Sequence, residues 1–169
     1  TYQLSGTDMT VSFDESMWYV FTRDNLAGNP ELDELGLTYD EFYANMVEQN
    51  MVVDACLFYD DGDYIEVLIM TEKEDGYVNL SNYSDSEILE LGKRTFEDFD
   101  ESDNIEIYEN QYKYMVIDYY DDQLFLHQYV TVINGYSYSI QFQSPYEFTE
   151  DKLETADLIV EPISSDVDP

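Results

Sequence analysis

Tyr136, Tyr138, Ile140 and Phe142 alternate with Ser137, Ser139, Gln141 and Gln143, the period-two pattern of a strand with one apolar and one polar face. Asn134-Gly135 stands just before this run, and both residues accept the positive φ of a type I′ turn. Leu124 to Ile133 is therefore predicted to pair with Tyr136 to Gln143. Upstream, Tyr112 to Tyr120 is equally rich in β-branched and aromatic residues, and Asp121-Asp122 supplies a polar turn into the middle strand. Together these segments predict an antiparallel meander.

The remaining pattern adds strands and helices around it. Met9 to Phe13 and Trp18 to Thr22 are short alternating runs separated by Asp14-Glu15-Ser16, which predicts a first hairpin. Asn29-Pro30 opens a brief helical turn that Gly36 closes. Thr38 with Glu41 forms a capping box for a helix reaching about Gln49, with Phe42, Met46 and Val47 on the face expected to lie against the sheet. Met51 to Tyr59 and Tyr64 to Thr71 read as strands joined by the turn Asp60-Asp61-Gly62-Asp63. After a polar loop from Glu72 to Tyr83, Ser84 and Glu87 cap a second helix, whose stripe is Ile88, Leu89, Leu91, Thr95, Phe96 and Phe99. Ile105 to Tyr108 begins a strand that turns at Glu109-Asn110-Gln111 into the meander. Thr149 caps a closing helix with Leu153, Ala156, Asp157 and Val160 on one side, and Pro162 ends it.

This order predicts an α+β fold: an antiparallel, meander-rich sheet of about six to seven strands flanked by helices as an α/β/α sandwich. Residues 1–8 are expected to be a frayed or linker-like start, 9–162 a single domain, and 163–169 an acidic tail. No internal repeat or low-complexity tract interrupts it.

Charge narrows the function. The chain carries 39 acidic residues against 6 basic ones, a formal charge of −33. Such a field repels phosphate backbones and anionic lipid surfaces, so nucleic acid and direct binding to an anionic membrane surface are excluded as expectations. A basic partner or divalent cations fit it better. Aromatic residues make up 16 % of the chain, and 17 residues are Tyr, a side chain that buries a ring while its hydroxyl stays wet. The single cysteine, Cys56, lies in an apolar run and reads as an inert buried thiol. Few cysteines with abundant Tyr, Asp and Asn suit an extracellular or cell-surface protein of a Gram-positive bacterium. Because residue 1 is Thr, an export signal or anchor is expected outside this stretch.

Candidate chemistry is sparse. Asp98, Asp100, Ser102, Glu106 and Glu109 fall at positions 1, 3, 5, 9 and 12 of a twelve-residue calcium loop that follows a helix. These positions converge oxygen ligands on one hard cation. Position 6, which needs Gly for the turn, holds Asp103. An acidic helix-to-strand connection is the plainer reading, with calcium the one cofactor to test. Asp60, Asp61 and Asp63 form a second acidic group, and Asp118, Asp121 and Asp122 a third; turn-forming Asp explains both. His127, the only histidine, lies mid-strand and reads as structural. No nucleophile elbow or phosphate-cradling glycine loop occurs. Trp18 reads as a core anchor, whereas Tyr119, Tyr120 and Tyr129 are the candidate binding surface.

Three stretches carry a resemblance to a known family. Val11-Ser12-Phe13-Asp14-Glu15-Ser16-Met17-Trp18 is similar to the opening strand, turn and Trp of the PsbP-like family. Asn134-Gly135-Tyr136-Ser137-Tyr138-Ser139-Ile140 is similar to its late hairpin, and Thr149 to Val160 to its closing helix. The resemblance implies a helix-flanked antiparallel sheet, shared with the extrinsic photosystem subunit and a small Ran-binding transport factor, used as a binding or scaffold module without a catalytic site. It transfers no functional residue. The expectation is thus a non-catalytic, secreted or surface-tethered domain that binds another protein or an envelope component. A carbohydrate-binding module is the alternative, and a carboxylate-based hydrolase the third reading.

Overall fold

Strand alternation sorts the apolar residues onto two faces of one sheet, and helices on each side bury them. The computed structural model of the chain describes residues 1–4, 7–73, 76, 78–95 and 104–165. Among these, β3 (Tyr19–Thr22), β4 (Met51–Phe58), β5 (Tyr64–Lys73), β6 (Ile105–Glu109), β7 (Lys113–Asp121), β8 (Leu124–Ile133) and β9 (Tyr136–Ser144) form an antiparallel sheet in the order β3-β4-β5-β9-β8-β7-β6. The fold class is α+β, as the pattern predicts. A smaller sheet joins β1 (Tyr2–Gln3), β2 (Met9–Val11) and β10 (Ser164–Ser165) in the order β1-β2-β10.

On one face, Val67, Ile69, Tyr114, Val116, Tyr129, Ile140 and Phe142 pack against Ala156, Ile159 and Val160 of α4 (Glu150–Val160) and against Met9 and Val11 of the small sheet. Residues one step along the same strands serve the other face. Leu68 and Met70 meet Leu32 of α1 (Pro30–Glu34) and Met46 of α2 (Tyr39–Glu48). Met115 and Val130 meet Ile88 of α3 (Asp85–Thr95) and Leu80 of a short 3₁₀ turn.

The turns explain the register. Asp61 and Gly62 both take positive φ, and the Tyr59 N–H donates to the Asp63 carbonyl across the β4–β5 turn. Asn134 (φ 50) and Gly135 (φ 83) form the predicted type I′ turn, setting Ile133 opposite Tyr136. The β7–β8 turn is centred on Asp122 (φ 48) and Gln123 (φ 66), one residue later than the sequence suggests. Asp118 therefore faces His127.

Five expectations are corrected. Residues 1–8 include a paired strand, and Leu4 is buried beneath it. In the tail, Ile163 is core and Ser164–Ser165 pairs with β2, so the folded unit outruns 9–162 at both ends. β2 and β3 are not a hairpin: Asp14 accepts from the backbone N–H groups of Ser16, Met17 and Trp18, and this turn carries the chain from the small sheet into the large one. On α2, Val47 is exposed and the Thr38 side chain caps nothing. On α3, Leu91 is exposed and Gly92 touches the sheet, since a Cβ there would stand 2.8 Å from Ile105 Cδ1. The buried Ile88 side chain and the close approach at Gly92 together seat that helix.

Candidate functional site

β7 runs four residues, 118–121, past its last pair with β6, and the chain leaving β9 leads into α4 beside the β7–β8 hairpin. Thr149 starts α4 by accepting from the Lys152 N–H. This places Glu147 and Phe148 on one wall and Leu153 on the next, facing Asp118, Tyr119, Tyr120, Phe125 and Leu126 of the hairpin. They enclose an open cleft of about 420 Å³, within the range of ligand sites. Tyr120 is 56 % exposed. Its ring meets Phe125 edge to face, with centroids 4.8 Å apart.

Behind the cleft runs a polar chain whose middle members, His127 and Tyr129, are buried and whose end carboxylates, Asp118 and Asp157, reach solvent. Asp118 Oδ1 lies 2.6 Å from His127 Nδ1, His127 Nε2 lies 3.0 Å from the Tyr129 hydroxyl, and that hydroxyl donates to Asp157 Oδ1 at 2.7 Å. Burial, then the hydrogen bond to Asp157, pushes the Tyr129 phenol well above its ordinary value, so it keeps its proton. With that proton aimed at Asp157, a lone pair of the Tyr129 oxygen faces His127 Nε2, while Nδ1 faces Asp118. Both ring nitrogens are therefore occupied within the network. The network ties β7, β8 and α4 together.

A second constellation adjoins it. Lys152 Nζ, its side chain 7 % exposed, donates to Asp63 at 2.9 Å and to Ser144 Oγ at 2.8 Å. The rings of Tyr59, Tyr146 and Phe148 surround it at 5.9, 6.0 and 6.0 Å. A Ser–Lys pair can serve acyl transfer when the amine is a free base beside an accessible hydroxyl. Here Ser144 is wholly buried and the ammonium is bound to a carboxylate.

On the opposite face, Asp54 is buried beside Glu66. Burial, and then the hydrogen bond and repulsion from Glu66, raise its carboxyl from 3.8 to about 9. Glu66 Oε1 also accepts from Gln143 Nε2 at 2.6 Å. Burial pushes the neighbouring Cys56 thiol up to about 12, so it is not a nucleophile at neutral pH.

The structure separates the expected site residues. Tyr120 lines the cleft. Tyr119 also lines it, half-buried, its hydroxyl donating to Gln128 Oε1 at 3.0 Å. Tyr129, expected on the surface, is 1 % exposed and belongs to the core, because it faces Ile140 on the α4 side of the sheet. Trp18 is buried against Phe13, as expected of a core anchor. Of the candidate calcium loop, Asp98, Asp100 and Ser102 lie outside the described residues. Glu106 and Glu109 lie in β6, three residues apart, and so leave the strand on opposite faces. That geometry departs from the convergence a calcium loop needs. Among the described residues, no group of three His, Cys, Asp or Glu side chains is placed to hold a metal ion. Asp63 and Asp118, read as turn formers, instead hold Lys152 and His127.

Among the described residues, no helix is long and apolar enough to cross a membrane. Compared with protein-family models, curated proteins and solved structures, the chain matches none.

Proposed function

We propose that this chain is a non-catalytic binding or scaffold domain, secreted or tethered at a cell surface, that engages another protein or an envelope component through the cleft between the β7–β8 turn and the start of α4. One contrast supports the reading. His127 and Lys152, the side chains best suited to proton transfer, face inward with their nitrogens occupied, while the adjacent cleft is open and lined by aromatic rings. Rigid aromatic rings supply contact area at low entropic cost. The likeness to the PsbP-like family points the same way, and the acid excess favours basic partners over nucleic acid or anionic lipid.

A carbohydrate-binding role is the second reading, since the exposed Tyr120 ring beside Asp118 and Glu147 also suits a sugar face and its hydroxyls. The test is amide chemical-shift mapping of the ¹⁵N-labelled domain against panels of peptides and oligosaccharides. Saturable shifts confined to residues 118–126 and 147–153 are expected, and the panel that produces them separates the two readings. Turnover of an ester, peptide or glycoside that disappears in His127→Gln would overturn both.

A further inference from the structure

We infer that the cleft is built for an organic cation, specifically the ammonium of a lysine side chain presented by a basic protein partner; this rests on the binding reading above and names its ligand. The aromatic lining on the α4 side is Tyr120, Phe125 and Phe148, together with Asp118 and Glu147, while Tyr119 turns its hydroxyl to Gln128 on the other face of the sheet. None of the lining residues is basic. Aromatic faces attract ammonium groups through their quadrupole, and a carboxylate at the rim supplies the charge-assisted hydrogen bond that fixes them. His127 takes one oxygen of Asp118, but the Asp118 side chain remains 55 % exposed. Glu147 is exposed on the facing wall.

The molecule contains a filled example of the same chemistry next door. The Lys152 ammonium sits among Tyr59, Tyr146 and Phe148 with the Asp63 carboxylate at 2.9 Å. Phe148 belongs to both sites: its ring is 6.0 Å from Lys152 Nζ, and it also walls the cleft. The closed box has its cation from the chain itself. The cleft has equivalent walls and must take its cation from outside. A chain with 39 acids and 6 basic residues draws cationic partners toward such a mouth and repels anionic ones.

The experiment titrates the ¹⁵N-labelled domain with a tetralysine peptide, with Nα-acetyl-lysine methylamide, and with the uncharged isostere Nα-acetyl-norleucine methylamide. Oligosaccharides are run alongside. The expected result is saturable shifts at residues 118–120, 125–126, 147–148 and 153 with both lysine probes, weakened by salt and absent with norleucine. Tyr120→Ala should bind about tenfold more weakly and Glu147→Gln several-fold more weakly. Glu34→Gln, an acid remote from the cleft in α1, should leave affinity unchanged. Tyr120→Ala removes an exposed ring, and a thermal melt verifies its fold. Equal shifts from norleucine, or lysine shifts spread over all acidic surfaces without saturation, overturn the cation assignment. If oligosaccharides or neutral peptides perturb these amides and lysine does not, the ligand class falls while the binding reading stands. If nothing perturbs them, both fall.

Discussion

The box around Lys152 and the cleft beside it are made of the same materials, aromatic rings and carboxylates, and they share Phe148. They differ in where the cation comes from. In the box, the ammonium, carboxylate and hydroxyl satisfy one another, and the site joins the β4–β5 turn, the end of β9 and α4 into one rigid corner. In the cleft, Tyr120 is exposed, Phe125 and Phe148 are half-buried, and the carboxylates of Asp118 and Glu147 face solvent. A completed polar cluster contributes to stability and specificity of fold, whereas an incomplete one leaves interaction capacity for a partner.

The largest effect comes from emptying the box. Lys152→Ala leaves Asp63 and Ser144 without their cation, and the domain should lose about 3–5 kcal/mol in urea denaturation. A loss below about 1 kcal/mol would place the corner with ordinary surface ion pairs. Tyr129→Phe, which removes the hydroxyl linking His127 to Asp157, should cost about 1–3 kcal/mol by leaving the buried His127 Nε2 unpaired. Refolding curves that match wild type would mean that water replaces the phenol.

Asp54 tests the contrast from the opposite face, where a buried carboxyl has a second carboxyl rather than a cation for its neighbour. Its folded value is raised to about 9, so the folded chain holds a proton that the unfolded chain gives up near 3.8. The contribution is fully present below that lower value and is lost as pH rises through 9. Across this window the proton held by Asp54 should make stability fall as pH rises. Urea midpoints measured from pH 5 to pH 8 should fall, and Asp54→Asn should flatten the fall; parallel slopes in the two proteins would assign the whole trend to general charge repulsion. Smallest of all, Tyr120→Ala should shift stability by less than about 0.5 kcal/mol while weakening lysine binding. A large stability loss there would make Tyr120 part of the fold rather than of a recognition surface.

Strands and tight turns were legible because their signals are local. Alternation from Tyr136 to Gln143 and the Asn134-Gly135 turn fixed one hairpin to the residue. In the next hairpin Asp121-Asp122 and Asp122-Gln123 look alike as turns, yet moving the centre by one residue moves the pairing by two. Centred on Asp121-Asp122, the hairpin sets Asp118 opposite Phe125; centred on Asp122-Gln123, it sets Asp118 opposite His127. The Asp118–His127 contact, and with it the polar network, was hidden in that one step. On α4, Leu153 looked like the inward residue, but the buried stripe is Lys152, Ala156, Ile159 and Val160. A lysine reads as solvent-facing until its aromatic and acidic neighbours, from the β4–β5 turn and the chain leaving β9, are assembled around it. The cleft was illegible for the same reason: Phe148 and Glu147 meet Tyr120 and Phe125 only after the sheet has formed.

The small sheet has a consequence for how the chain reaches this state. β2 gains one neighbour at once from β1, but its other edge is completed by β10, which leaves the ribosome roughly 150 residues later. Ile163, just before β10, enters the same core as Leu4 and Val11. Vectorial synthesis therefore cannot close the domain from its leading end. β2 must wait, open on one side, until β10 arrives, and the small sheet closes only once β1, β2 and β10 are all present.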